Sequence, residues 1–245
     1  MPPVCILAGG QGKRLGERAR GVPKPLVEVA GEPFLVHQLR LLAAHGIKQA
    51  VICVGYRGEM IESRLGDACY GVHLSYSHDG PGLDGTLGAI RRALPLLPER
   101  FLVLYGDTYL RVDYRAVNNA WRKSGLPALM VVLHNAGRWD TSNVQYAHGR
   151  VLAYNKQAPT AAMSWIDYGL GGLAAEALGR VADSERELAV LYAALARRGE
   201  LCGHPATERF YEIGTPGALE ETDAFLSSAD VGNEMPPQTC SIQRH

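Results

Sequence analysis

Little in this chain of 245 residues leans to one side. Its 25 basic and 25 acidic residues cancel to a formal net charge of +0, without the basic excess of a nucleic-acid-binding domain. No uninterrupted apolar run approaches the roughly 18 residues of a membrane span. An apolar strand pattern begins within about three residues of the N-terminus, so no signal peptide is expected. The five cysteines (Cys5, Cys53, Cys69, Cys202, Cys240) are scattered and form no Cys-x-x-Cys pair, a usage that fits a reduced cytoplasm better than secretion. The eight histidines show no metal-ligand spacing, no Ser/His/Asp order stands out, and no repeat period is visible. What remains is an ordinary globular composition, 47% hydrophobic, long enough for one large α/β domain or two small ones.

The informative stretch runs from Leu7 to Leu26. An apolar run, Val4 to Ala8, feeds Gly9, Gly10 and Gly12, followed by Lys13 and Arg14 and then by Pro23-Lys24-Pro25-Leu26. Glycines let a backbone turn sharply and approach a ligand, so that successive amides point at phosphate oxygens. Two better-known phosphate loops fail here. The dinucleotide fingerprint counted from Gly10 needs a glycine where Leu15 stands. The P-loop needs Ser or Thr where Arg14 stands and a leading glycine where Leu7 stands. A glycine-rich strand-to-helix turn with exposed cations is the bland alternative.

Taken whole, the stretch resembles the signature of the sugar-1-phosphate nucleotidyltransferases, a Leu-Ala-Gly-Gly-x-Gly-x-Arg-Leu loop followed by Pro-Lys-Pro-Leu. Lys13, where that family usually has Thr, is the one departure. The members with short chains acting on manno- or heptose-type 1-phosphates with GTP are the most similar. The resemblance implies an α/β, Rossmann-like (GT-A-like) fold, a mixed and mostly parallel sheet flanked by helices, with a small β-rich sugar-binding subregion. It implies that Leu7, Ala8, Gly9, Gly10, Gly12, Arg14 and Lys24 hold a nucleoside triphosphate.

Periodicity orders the rest. Helices are expected from Phe34 to Gly46, with Leu35, Leu39 and Leu42 facing the sheet, and over 59–65, 114–124, 187–198 and 216–226. Strands are expected over 49–54, 72–76, 101–105 and 128–133, an alternation that indicates a parallel sheet with helices on both faces. Asp84 is a plausible N-cap for a helix that Pro95 stops, with Leu87, Ile90 and Leu94 as its buried stripe. From 143 to 173 short alternating segments indicate hairpins, with Ala147-His148-Gly149-Arg150 as one turn and a brief strand at 164–166. The expected layout is one domain over 1–228, a nucleotide half to about 133 and a sugar-phosphate half beyond it. Residues 229–245 read as a disordered tail.

Further motifs carry the resemblance along the chain. Gly85-Thr86-Leu87-Gly88-Ala89 resembles the family's segment beside the base and ribose, although a capped helix with a glycine contact to the sheet reads equally well without the first motif. Gly106-Asp107 ends a strand, and ligands of open α/β sheets collect outside strand carboxyl ends. An Asp there is often only an Asx-turn former. In the family this aspartate binds Mg²⁺. Tyr154-Asn155-Lys156 resembles a Glu-Lys pair with the acid replaced by Asn155, and Asp167-Tyr168-Gly169 stands where the family has Asn-Ala-Gly. The resemblance thus implies Asn155, Lys156, Tyr168 and Gly169 as sugar-phosphate contacts. Glu212, in Glu212-Ile213-Gly214-Thr215-Pro216, stands where the family has its second metal-binding aspartate.

The implied chemistry joins an NTP and a sugar 1-phosphate into a nucleotide-sugar and pyrophosphate, with Arg14, Lys24, Asp107 and Lys156 as the catalytic set and Mg²⁺ as cofactor. The resemblance admits a homo-oligomer and implies no membrane or nucleic-acid partner. Two other classes stay open. A metal-dependent glycosyltransferase would carry an Asp-x-Asp motif, which Asp107-Thr108-Tyr109 is not, and a catalytically silent relative would tolerate loss of Arg14, Lys24 or Asp107, all present.

Overall fold

The computed structural model describes residues 1–10, 12, 14–16, 21–80, 84–135 and 137–228. Lys13 and the expected tail over 229–245 lie outside the described residues. The chain opens with β1 (Val4–Leu7), a short antiparallel pair β2 (Glu28–Val29) and β3 (Glu32–Pro33), α1 (Phe34–Ala44), β4 (Gln49–Val54), α2 (Gly58–Leu65), β5 (Ala68–Cys69) and β6 (Val72–His78). It continues through α3 (Gly85–Ala93), β7 (Arg100–Tyr105), β8 (Thr108–Leu110), α4 (Tyr114–Ser124), β9 (Ala128–His134), β10 (Val144–Ala147), β11 (Arg150–Tyr154) and β12 (Trp165–Ala174). Helix α5 (Leu188–Arg197), β13 (Leu201–Ala206), β14 (Phe210–Glu212) and α6 (Pro216–Leu226) complete it.

Local chemistry sets several helix ends. Asp113 caps α4 by accepting from the amides of Arg115 and Ala116, and Gly125 closes it at φ +66°. Thr215 caps α6, which begins at Pro216, where the missing N–H costs nothing. Asp84 precedes α3 but does not cap it. Its carboxylate instead holds Arg92 Nε at 2.6 Å and accepts weakly from the Gly80 amide. A guanidinium offers a stronger, charge-assisted partner than a helix amide.

Ten strands form one sheet in the order β10-β11-β13-β9-β12-β7-β1-β4-β6-β5. Strands β7, β1, β4 and β6 are mutually parallel, whereas β12 runs antiparallel to both β7 and β9. Alternate residues face opposite layers. Val4 and Ile6 of β1 join the core under α1, α2, α4 and α6, while Cys5 joins the one under α3 and α5. Leu35, Leu39 and Leu42 are fully buried in the first; Leu87, Ile90, Leu188, Leu191 and Leu195 are fully buried in the second.

The largest departure from the sequence reading is β12. A strand expected over three residues runs for ten and lies between β7 and β9, so one sheet passes through both expected halves. Burial on both faces erases the alternation, and Gly171 and Gly172 lower the strand signal. The glycines are there for packing: a Cβ at Gly172 would lie 2.8 Å from the Trp121 ring. Against β9, Asp167 pairs with Val132 but Gly171 with Met130, so four residues of β12 span two. This bulge pushes Tyr168 and Gly169 out of the ladder. The expected turn after β10 forms as read, with His148 at φ +50° and Gly149 at +74°.

Candidate active site

The carboxyl ends of β7, β1, β4 and β6 lie side by side, and the loops leaving them carry Gly106-Asp107, Ala8-Gly9-Gly10, Gly55 and Asp79. Here backbones pass close to one another. The Gly106 amide donates to the Leu7 carbonyl at 3.0 Å, and a Cβ on Gly106 would sit 2.8 Å from that oxygen. The space kept open above these ends is a cavity of about 310 Å³. Leu7, Ala8, Gly9, Gly10, Lys24, Gly85 and Thr86 all line it, as do Asp79, Tyr105, Asp107 and Glu187. Gly12 does not; it takes φ +65° and its carbonyl accepts from the Leu15 amide in the turn beyond.

Pro23-Lys24-Pro25-Leu26 folds as a single tight turn that buries Lys24 against the sheet. Its ammonium reaches Asp107 Oδ2 at 2.6 Å, with the lysine side chain 10% and the carboxylate 34% exposed. Removing one member of such a pair leaves the other charge uncompensated, which costs more than the pair itself contributes.

Glu212 arrives by a pairing that no local pattern announces. Strand β14 lies antiparallel to β8 with Glu212 opposite Thr108, and the Ile213 amide donates to the Asp107 carbonyl at 3.0 Å. The two carboxylates that the sequence placed 105 positions apart therefore meet at one strand end. Glu212 Oε2 accepts from the Gly214 amide at 2.9 Å. Burial, and after it the charge of Asp107, pushes the Glu212 carboxyl above its ordinary value, while Lys24 and Arg14 pull the other way.

Beyond Asp107 the floor opens into a second chamber of about 720 Å³, and Tyr105 and Asp107 line both spaces. Arg14 lines this larger chamber rather than the glycine-walled cavity. Lys156 stands over the Tyr105 ring, 5.2 Å from its centroid, with its ammonium 3.6 Å from Asp167 Oδ2. Asp167 itself is held rigidly: its carboxylate accepts from the Tyr154 hydroxyl at 3.0 Å and the Gly169 amide at 3.1 Å. Tyr168 is buried, and its hydroxyl donates long hydrogen bonds to the carbonyls of Arg111 and Arg209. Gly169 takes φ +98°, with Thr108 Oγ1 3.1 Å from where a Cβ would lie.

Asn155 is placed differently from the expectation. It does not line the chamber; its carboxamide oxygen accepts from the amides of Gln157 and Ala158, shaping the turn that carries Lys156. The side chain missed in its place is Asp167, one residue before the Tyr168-Gly169 pair that the sequence singled out. Arg138, Trp139, Arg209 and Glu221 of the chamber wall gave no local signal, belonging to none of the motifs. Gly85-Thr86 does two things at once. It lines the cavity, and it docks α3 on the start of α5: Thr86 Oγ1 accepts from the Leu188 amide at 2.8 Å, and the Leu87 amide donates to the Arg186 carbonyl at 2.7 Å.

A profile of the MobA-like NTP transferase domain matches residues 4–216. The chain belongs to this family. Among its relatives is the N-acetylmuramate alpha-1-phosphate uridylyltransferase of Neisseria meningitidis serogroup B, 41% identical over 115 residues, covering 46% of this chain and 50% of the relative. Another is the D-glycero-alpha-D-manno-heptose 1-phosphate guanylyltransferase of Aneurinibacillus thermoaerophilus, 38% identical over 113 residues, covering 46% and 49%. These matches span about half the length of each relative. In fold, a crystal structure of a putative glucose-1-phosphate thymidylyltransferase from Bacillus anthracis superposes with a TM-score of 0.81 at 19% identity, covering 95% of this chain and 98% of that one. The resemblance read from residues 7–26 thus holds at the level of the family, and the α/β sheet flanked by helices is the family's fold.

Whether this MobA-like domain suits a divalent cation depends on its donors. Among the described residues no cluster of three or more His, Cys, Asp or Glu is arranged as a closed metal site. Asp107 and Glu212 supply carboxylate oxygens from adjoining strand ends, and their mutual repulsion is what a cation between them relieves. Magnesium is commonly bound by one or two carboxylates with substrate phosphates and water completing its shell. The pair fits such a site and does not fit one made by the protein alone.

Proposed function

We propose that this chain transfers a nucleotidyl group from a nucleoside triphosphate to a sugar 1-phosphate, releasing pyrophosphate, with guanylyl transfer to a heptose- or manno-type 1-phosphate favoured. One observation carries the reading. A glycine-walled cavity and a polar chamber meet at Asp107, with Lys24 on one side and Glu212 on the other. Two polyanions brought in from opposite sides would have their reacting phosphates at that junction.

An oxygen of the sugar phosphate attacks the α-phosphorus and forms the new P–O bond as the bond to pyrophosphate breaks. Both reactants are anionic, so the obstacles are repulsion and charge on the leaving group, and positioning with electrostatic stabilisation suffices. In the cavity the amides of 8–10 face the triphosphate. Lys24, already held at the junction, turns its ammonium from Asp107 to phosphate oxygens. Arg14 balances the departing pyrophosphate. Lys156, oriented by Asp167 and the Tyr105 ring, holds the sugar phosphate. Asp107 and Glu212 would hold a divalent cation, Mg²⁺ on this reading, and it would supply neutralisation of phosphate charge.

No helix among the described residues is long and apolar enough to cross a membrane. Both proposed substrates are phosphorylated metabolites of the cytoplasm, which is where we place the reaction. The test is a screen of the four common NTPs against a panel of sugar 1-phosphates with Mg²⁺, reading pyrophosphate release. Turnover with at least one pair, strongest with GTP, is expected. Pyrophosphate-independent glycosyl transfer from a nucleotide-sugar, or silence with every pair, overturns the reading.

A further inference from the structure

Helix α1 lays an apolar stripe on the sheet, yet one buried position in that stripe is polar. Gln38 follows Leu35 by three residues and precedes Leu42 by four, so it faces inward with them, and it is 2% exposed. Its carboxamide nitrogen donates to the Tyr105 carbonyl at 2.9 Å and to the Thr108 carbonyl at 2.7 Å. Those two carbonyls bracket Gly106-Asp107, the turn between β7 and β8. We propose that Gln38 is a positioning residue for Asp107: by holding both ends of this turn it fixes where the carboxylate stands between Lys24 and Glu212. This deepens the nucleotidyl-transfer reading and rests on it.

The arrangement is costly in a way that packing does not explain. Two carbonyl acceptors decide which end of the carboxamide is the nitrogen, and that choice leaves Gln38 Oε1 buried without a partner among the described residues. A buried acceptor that lacks a donor is unfavourable, so the stripe alone would be better served by an apolar side chain of the same size. The Tyr105 carbonyl also accepts from Thr108 Oγ1 at 3.2 Å, so the bond from Gln38 tightens that end rather than supplying its first donor. Other elements fasten the middle of the turn. The Gly106 amide donates to the Leu7 carbonyl, and the Asp107 carbonyl accepts from the Ile213 amide, both at 3.0 Å. With α1, β1 and the end of β14 all attached to four consecutive residues, the Asp107 backbone is set, and its carboxylate meets the Lys24 ammonium at 2.6 Å. Reacting groups misplaced by an ångström lose about 10²-fold in rate. Partners behind a metal-binding side chain typically count for about 10–100-fold in metal affinity or activity.

Gln38→Met removes both donors at similar volume, and Leu39→Val, at the next, fully buried position of α1, is the control for lost packing alone. The full chain and both variants are compared by pyrophosphate release, by EPR titration of Mn²⁺ with non-hydrolysable analogues of the four common NTPs, and by urea unfolding. Gln38→Met is expected to weaken Mn²⁺ binding about tenfold and to lower kcat about 10–100-fold. Its KM for NTP should stay within about twofold, because the glycine-walled cavity is untouched. Leu39→Val is expected to lower the urea midpoint and to keep both Mn²⁺ affinity and kcat. Should Gln38→Met not fold, Gln38→Asn, whose carboxamide is one methylene too short to span both carbonyls, carries the same expectations. Wild-type Mn²⁺ affinity and turnover without the Gln38 carboxamide overturn the assignment, as does a Leu39→Val variant that loses both equally. A wild type that holds no Mn²⁺ with any analogue overturns it too. EPR separates the two readings. Gln38-dependent Mn²⁺ binding without pyrophosphate release upholds the positioning role and overturns the reaction, while Mn²⁺ binding and turnover indifferent to Gln38 do the reverse.

Discussion

The two spaces that meet at Asp107 are built in opposite ways. The glycine-walled cavity is made by backbone, from Gly9, Gly10 and Gly106 where parallel strands end and from Gly85 where α3 begins. The larger chamber is made by side chains, from the β12 bulge, the turn after β11, the β8–β14 pair and the segment around Trp139. Backbone demands are written locally, since a glycine is needed wherever a Cβ has no room. Side-chain walls can be contributed from anywhere the sheet brings a strand. Under the proposed reaction the first kind of wall would face the triphosphate and the second the variable sugar.

The comparison breaks first at its junction. Arg14→Ala and Asp107→Ala are each expected to lower kcat by about 10²–10³, some 2.7–4 kcal/mol of lost stabilisation, while circular dichroism shows the fold retained. Near-normal turnover in either would dissolve the junction. Next comes the backbone claim. Gly85→Ala forces a Cβ at φ +67° to within 2.6 Å of the Arg186 carbonyl, so urea unfolding should show a loss of about 1–3 kcal/mol. An unchanged midpoint would mean that this wall is not set by backbone. Asp167→Asn loosens Lys156 without touching the glycine-walled cavity. The KM for sugar 1-phosphate should rise about tenfold with the KM for NTP unmoved, since an orienting hydrogen-bonded charge is worth about 1.5–3 kcal/mol. Equal rises in both would place Asp167 in general folding instead.

Smaller effects sharpen the same contrast. Asn155→Ala removes a turn-forming acceptor, so it should cost about 0.5–2 kcal/mol in stability and leave the sugar-phosphate KM alone. A selective KM rise would return Asn155 to the substrate. His37 belongs to neither space and tests the scaffold. Burial holds its pKa below the ordinary 6.5, with Nε2–H donating to the Val29 carbonyl. The unfolded chain therefore binds the extra proton first, and stability should decline as pH falls below about 6.5. His37→Gln is expected to flatten that decline, as read by thermal melts from pH 7.5 to 5; an identical slope would remove His37 as its source.

The glycine-walled side was legible because each of its pieces is a short local motif. Leu7 to Gly10, Lys24, Gly85-Thr86 and Asp107 all stand where the structure lines one cavity. Asp79 was passed over because a carboxylate in a loop has no periodicity and no motif. Tyr168 and Gly169 line the larger chamber together with Asp167, which the sequence did not single out, since only the pairing of β12 shows that the bulge brings all three there. Glycines hid β12, and nothing local could show that Glu212 would sit beside Asp107.

By itself the sequence determined the parallel strand–helix core, the glycine-walled strand ends and the identity of the family. These follow from short-range rules: apolar period, caps, and the absence of a Cβ where two backbones touch. Only the tertiary structure decided how β12 divides the sheet, how β14 carries Glu212 to Asp107, and which side chains close the larger chamber. Those are pairings between distant strands, fixed by burial of both sheet faces at once.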